Sequence, residues 1–259
     1  MSPDQFTACN GCIQIPWALA ATAVFYNVPG APNLLKMDGA TLAKIFMGTI
    51  TNWNDAAIAK LNPGTNLPDL KITIAHRSDN SGTTFNFTDY LSAVSPAWKS
   101  QIGSGVAVNW PTGVGGKGSS GVAGIVTQTP GAIGYADVAY ALTNHLKYLK
   151  MRNASGRYTV PALRNINAAA QLDTTPAADG SLSIVNPPKT KSKKYIDAYP
   201  ICTYTYIIVP TTTSKAKQMK QLVSWAVTHG QSFGPKLIFQ PLPLPVVKFD
   251  EAQVAKIHS

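Results

Sequence analysis

Two hydrophobic periods alternate along this chain. Residues 41–47 carry apolar side chains at helical spacing and stop at Gly48. Residues 55–61 do the same between Asn54, a good N-cap, and the breaker run Asn62-Pro63-Gly64. Residues 71–76 read as a strand and 83–94 as a helix, after which Ser95-Pro96 opens a short helix toward Ile102. Residues 106–110 read as a strand, followed by a glycine-rich turn and a helix over 121–128 that Pro130-Gly131 closes. A short strand follows at 132–135. Further on, 201–209 is a long β-rich run, and 214–228 is an amphipathic helix with Gly230 as its C-cap. A proline-rich crossing (Pro241, Pro243, Pro245) then leads to a last helix at 251–257. Strands alternating with helices predict an α/β fold with mainly parallel sheets.

Residues 13–25 are apolar enough to imitate the core of a signal peptide. No basic region precedes them, and Asp4 sits where positive charge belongs, so they read as buried strand and hinge. No apolar run approaches the length of a membrane span. With 45% hydrophobic and 13% charged residues over 259 positions, the chain can bury a substantial core, as one large domain or two small ones. The net charge of +10 is common among nucleic-acid binders. Here the basic residues are spread out, and the one run (Lys189, Lys191, Lys193, Lys194, beside Pro187-Pro188) reads as a solvated loop. Nothing resembles an aromatic–basic platform for nucleic acid.

The densest chemistry lies at Ile74-Ala75-His76-Arg77-Ser78-Asp79-Asn80-Ser81-Gly82-Thr83-Thr84-Phe85. A strand ends at an arginine, and a polar turn feeds straight into a helix. The first N–H groups of a helix lack intrahelical partners and carry partial positive charge, which suits a tetrahedral oxyanion. Arg77 adds a planar bidentate donor, and Asp79 is placed to orient it. Ser81 and Thr83 offer hydroxyl and backbone donors, and Gly82 lets an anion approach the backbone. On these residues alone a second reading stays open: a plainly capped helix, with Ser81 as N-cap and Arg77–Asp79 as a surface ion pair.

Other chemistries are weaker. Gly113-Val114-Gly115-Gly116-Lys117-Gly118 satisfies GxGxxG, yet Pro111-Thr112 separates it from the strand that a dinucleotide fingerprint requires. As a P-loop it fails, because Gly118 follows the lysine where Ser or Thr must bind magnesium. His76, His145, His229 and His258 show no metal-ligand or triad-like spacing, and neither GxSxG nor HExxH occurs. Cys9-Asn10-Gly11-Cys12 is too little for zinc without a second pair. A redox CxxC would open a helix, whereas Ile13-Gln14-Ile15-Pro16 follows. Outside the cytoplasm a short-loop disulfide between Cys9 and Cys12 is the plain reading, and Cys202 reads as a buried apolar residue.

Arg77-Ser78-Asp79-Asn80-Ser81-Gly82-Thr83-Thr84 resembles the phosphate-contacting turn of the substrate-binding proteins of bacterial phosphate ABC importers. Other blocks resemble that family in the same order: residues 42–55, Leu61-Asn62-Pro63-Gly64, Trp110-Pro111 with Gly115-Gly116-Lys117-Gly118, Pro130-Gly131-Ala132-Ile133-Gly134-Tyr135, Tyr199-Pro200-Ile201, and Gln240-Pro241-Leu242-Pro243. The resemblance implies the two-lobed periplasmic-binding-protein type II fold. Residues 19–202 would form the second lobe, residues 1–18 and 203–259 a remnant of the first, with two hinge crossings.

It also implies a function. The chain would bind inorganic phosphate outside the cytoplasm and deliver it to ABC importer permease subunits, without enzymatic chemistry, cofactor or metal. Membrane contact would come only through the permease or a lipid anchor. Arg77, Ser81, Gly82 and Thr83 would touch phosphate, with Asp79 orienting Arg77. The family's first-lobe contacts, including the aspartate that accepts a hydrogen bond from protonated phosphate, match no segment here, so the resemblance covers half of the binding site. Asp4 and Asp38 are the nearest carboxylates, and neither matches that motif. A phosphatase-like enzyme using the same anion pocket, and a surface adhesion protein retaining the fold, are the alternatives.

Overall fold

The apolar run at 13–25 is one strand of 15 residues, β1 (Cys12–Tyr26), buried along most of its length. The structure, a computed structural model, describes residues 3–259, with side chains from Phe6 onward; Asp4 therefore lies outside the described side chains. Before β1 comes α1 (Pro3–Cys9). After it follow β2 (Lys36–Met37), α2 (Gly39–Phe46), α3 (Ala56–Leu61), β3 (Thr73–Arg77), α4 (Gly82–Val94), α5 (Pro96–Gln101), β4 (Val114–Gly116) and α6 (Gly118–Gln128). The chain continues through β5 (Ala132–Asp137), α7 (Val138–Thr143), β6 (Lys147–Tyr148), β7 (Lys150–Arg152), β8 (Tyr158–Thr159) and α8 (Leu163–Ala170). It ends with β9 (Cys202–Pro210), α9 (Ala216–Val227), a 3-10 stretch (His229–Leu237) and α10 (Leu244–Ala255).

The strands run in the order β4-β3-β5-β1-β6, with β9 also paired to β1, and β2-β7-β8 form a small separate sheet. β1 changes partner along its length. Cys12 to Ala21 face β9, whereas Thr22 to Tyr26 face β5. The expected parallel character holds for β3 with β4 and with β5, and for β2 with β7. Every pairing of β1 is antiparallel, so the large sheet is mixed. The difference arises because β1 is a long crossing strand that runs against its neighbours, where helix-connected strands would run with them.

Helix α4 forms because Ser81 caps it and Phe87, Tyr90 and Leu91 place one apolar stripe in the core. Phe87 packs edge-on against Phe46 of α2 at 4.8 Å. Five sequence expectations are corrected. The N-cap of α3 is Asp55, whose carboxylate accepts from Ala57 N–H, not Asn54. Residues 106–110 are irregular, and the strand of that region is β4, inside the glycine-rich turn. Helix α6 starts at Gly118 instead of residue 121. Gly230 does not cap α9, which ends at Val227 with Thr228 as its C-cap and passes directly into the 3-10 stretch. The last helix begins at Leu244, with Pro245 in its first turn, where the missing N–H costs nothing and the fixed φ is already helical.

β4 exists because glycine allows a close approach. A Cβ on Gly116 would stand 2.6 Å from Gly121 C and Val122 N, so α6 packs backbone to backbone on this edge strand. The lysines at 189, 191, 193 and 194 are exposed, as a solvated loop requires.

Candidate functional site

Strand β3 delivers Arg77 to its C-terminal end, between edge strand β4 and central strand β5. The guanidinium is held on one edge: Nε donates to Asp79 Oδ1 at 2.8 Å and Nη2 to Asp79 Oδ2 at 2.6 Å. Asp79 Oδ1 also accepts from Gly118 N–H, at the start of α6, at 3.0 Å. Nη1 reaches Ser119 Oγ at 3.4 Å. The Arg77 side chain is 12% exposed and that of Asp79 35%. The Arg77 hydrogen bonds, joined by the Gly118 N–H, hold the Asp79 carboxyl well below the usual carboxylate range. Asp79 in turn raises Arg77. The pair is fully ionised, and of the guanidinium's five N–H donors two go to Asp79 and one to Ser119, which leaves two for a ligand.

Helix α4 begins four residues beyond β3. Ser81 Oγ accepts from Thr83 N–H at 3.1 Å and Thr84 N–H at 3.3 Å, while Ser81 N–H donates to Val106 O at 2.9 Å. The expectation of backbone donors at Ser81 and Thr83 is thereby corrected, since the Ser81 N–H is taken by Val106 O and the Thr83 N–H by the cap itself. The Gly82 N–H has no partner among the described residues. Gly82 is exposed, and nothing lies within 4 Å of a Cβ built there. The donors left to an anion on this turn are the Gly82 N–H, the hydroxyl protons of Ser81 and Thr83, and the two remaining guanidinium N–H groups of Arg77. N-cap and ion pair are both present.

A cavity of about 390 Å³ opens beside Arg77 and Asp79, lined also by His76, Ser78, Asn109 and Trp110. The His76 ring stacks on Trp110 at 4.9 Å. Asp38 is no part of this site, because it caps α2 by accepting from Thr41 N–H at 2.8 Å. Gly118, Ser119, Thr84 and Tyr135 serve the site and were not singled out from the sequence. Thr84, Gly118 and Tyr135 stand in blocks carried by the family resemblance, which was the only signal available. No group of three His, Cys, Asp or Glu among the described residues could hold a metal. Cys9 and Cys12 are joined as a disulfide. Cys202 is fully buried, and burial pushes its thiol up.

The profile of the PBP superfamily domain matches residues 2–229. The chain is 43% identical over 247 residues to the phosphate-binding protein PstS of Xylella fastidiosa strain Temecula1, covering 93% of this chain and 66% of that protein. It is 38% identical over 253 residues to phosphate-binding protein PstS of Pasteurella multocida, covering 96% of this chain and 72% of that one. Among solved structures it is similar to a high-affinity periplasmic phosphate-binding protein bound with phosphate (PfluDING; TM-score 0.72, 21% identity, covering 97% of this chain and 76% of that one). It is also similar to a phosphate-binding protein from Stenotrophomonas maltophilia (TM-score 0.67, 17% identity, 93% and 70%). At these identities the structural likeness defines the fold, the type II periplasmic-binding-protein fold. The chain belongs to the PBP superfamily and, within it, to the PstS phosphate-binding proteins. It spans about two thirds of the length of the Xylella relative. No helix among the described residues is long and apolar enough to cross a membrane.

Proposed function

We propose that this chain binds inorganic phosphate outside the cytoplasm and serves its delivery to the permease of an ABC importer. The observation that carries this reading is the meeting of two donor sets at one turn. The remaining guanidinium N–H groups of an Arg77 locked by Asp79 lie five residues before the N–H of Gly82 at the start of α4, which has no partner among the described residues. Ser81 and Thr83 hydroxyls complete the set. Relatives named for phosphate binding supply the ligand, and no feature of the turn favours a phosphatase over a binder. The Cys9–Cys12 disulfide is in keeping with an oxidising compartment.

We further infer that residues 1–18 and 203–259 belong to one lobe and 19–202 to the other, with β1 and β9 as the two crossings. The exchange of β9 for β5 along β1 near Ala21 supports that division.

The test is a phosphate titration of the ¹⁵N-labelled chain, wild type against Arg77→Ala. Phosphate should move the Gly82 amide, and Arg77→Ala should raise Kd well over tenfold, the loss of a charge-assisted bidentate contact. An unchanged Kd in Arg77→Ala, or a silent Gly82, overturns the reading.

A further inference from the structure

We propose that Tyr135 is a positioning residue of the anion site, its hydroxyl holding Arg77 in register with the first turn of α4. The inference rests on the phosphate-binding reading of that turn.

The Tyr135 ring is fully buried on β5. It lies flat on Phe87 of α4, with ring centroids 4.3 Å apart and planes 10° apart, and Trp110 stacks on it at 5.8 Å. Full burial against these aromatic neighbours restricts the ring to one orientation. The hydroxyl therefore has a fixed place, and two groups meet it there. Arg77 N–H donates to it at 3.3 Å, and it shares a hydrogen bond with Thr84 Oγ1 at 2.7 Å. Burial raises the Tyr135 phenol, so it stays protonated through neutral pH and can donate to Thr84 while accepting from Arg77.

Those two partners are the ends of the anion turn. Arg77 is the last residue of β3. Thr84, itself 1% exposed, is in the first turn of α4, and its N–H is already bound by Ser81 Oγ. Between them run residues 78–83, of which Ser78, Asn80 and Gly82 are exposed. One oxygen on a third element thus ties the strand that carries the guanidinium to the helix that carries the Gly82 N–H. Anion affinity depends on the spacing of those donors, which a small displacement degrades.

The test compares Tyr135→Phe, Thr84→Val, Thr84→Ser and the Tyr135→Phe/Thr84→Val double variant in the whole chain. Two readouts are taken: amide hydrogen exchange at Arg77 without ligand, and Kd for inorganic phosphate by NMR titration. Tyr135→Phe and Thr84→Val should each raise Kd about tenfold, the scale of one lost buried hydrogen bond. The double variant should bind no more weakly than either single one, because both remove the same tether. Thr84→Ser, which keeps the hydroxyl, should recover most of the affinity. Exchange at the Arg77 amide should quicken selectively in Tyr135→Phe. A hydroxyl that merely stabilises the core would lower Tm and leave Kd unmoved, and that outcome overturns the proposal. If wild type and Arg77→Ala respond alike to phosphate, the phosphate reading itself fails. Arg77 exchange then still decides the tether: selective loss of protection supports it, and unaltered exchange overturns it.

Discussion

Asp79 grips Arg77 along one edge of the guanidinium, Nε to Oδ1 at 2.8 Å and Nη2 to Oδ2 at 2.6 Å, and Gly118 N–H holds the same Oδ1 at 3.0 Å. On the proposed reading the carboxylate would act on an anion held beside Arg77 in two opposing ways. It orients the arginine, and its own charge repels the ligand. Asp79→Asn removes the charge and keeps one acceptor, so phosphate Kd should change by less than about threefold. Asp79→Leu removes both acceptors and frees the guanidinium to rotate, so Kd should rise at least about tenfold. Calorimetry on both variants checks this, and equal effects would show that orientation plays no part. The depressed carboxyl also fixes a sign: the grip is complete above the ordinary aspartate range and is lost only as pH falls through the lowered value. Affinity changes between pH 5 and 8 should therefore come from the ligand, not from Asp79.

Ser81 has two roles that substitution can separate. Its oxygen caps α4, and its proton is free to donate. Ser81→Ala should cost about 1 kcal/mol of stability and weaken phosphate binding. Ser81→Asp keeps a good cap while replacing the donor by a negative charge. It should hold the wild-type Tm within a few degrees and abolish phosphate binding. Thermal melts run beside titrations decide it; a binding-competent Ser81→Asp would exclude Ser81 from the site.

How far the sequence carries depends on whether a feature is local. The Ser81 cap, the Arg77–Asp79 pair and the helix that follows could be read directly, because the partners lie within a few residues of one another. The same holds for α5, where Ser95 accepts from Trp98 N–H at 3.2 Å and Pro96 opens the first turn. β4 was missed because its Val-Gly-Gly has almost no β propensity, and it is a strand only through its register with β3 and its contact with α6. The supports of Arg77 from Ser119 and Tyr135 span 42 and 58 residues, a separation no periodicity reports. Helix α10 was placed too late because its early prolines were read as an extended crossing, not as a helix start.

Gly116 should be irreplaceable for a steric reason. A methyl group there would press on the backbone of Gly121 and Val122, which cannot rotate away. Gly116→Ala should destabilise by at least about 2 kcal/mol and, by lifting the start of α6 from Asp79, weaken phosphate binding as well. Gly124, on the same helix, has nothing within 4 Å of its added Cβ. Gly124→Ala should stabilise by up to about 1 kcal/mol. Urea unfolding of the pair measures both; similar midpoints would refute the close approach.

Asp250 should make stability fall as pH rises through the neutral range. It lies on α10 with no exposed surface, and neither carboxylate oxygen has a hydrogen-bond partner among the described residues. Its polar surroundings give no relief. The Tyr204 hydroxyl is buried without a partner as well, Tyr206 Oη is engaged with Leu182, and Glu251 adds like charge. Burial first, and Glu251 second, push the carboxyl from an ordinary 3.8 up to about 8. The sign follows from which state holds the proton. Below about pH 4 both states are protonated and the residue is neutral in effect. From there to about pH 8 the unfolded chain releases its proton while the folded chain keeps it, so stability falls as pH rises, by about 6 kcal/mol at the most. Above that, both forms are ionised and the loss levels off. Asp250→Asn, similar in shape and unable to ionise, should therefore gain on wild type steadily from pH 4 to pH 8 and then run parallel to it. Urea unfolding free energies at unit pH steps give the difference curve, and a flat difference across that interval would mean that Asp250 is ionised and partnered in the folded protein.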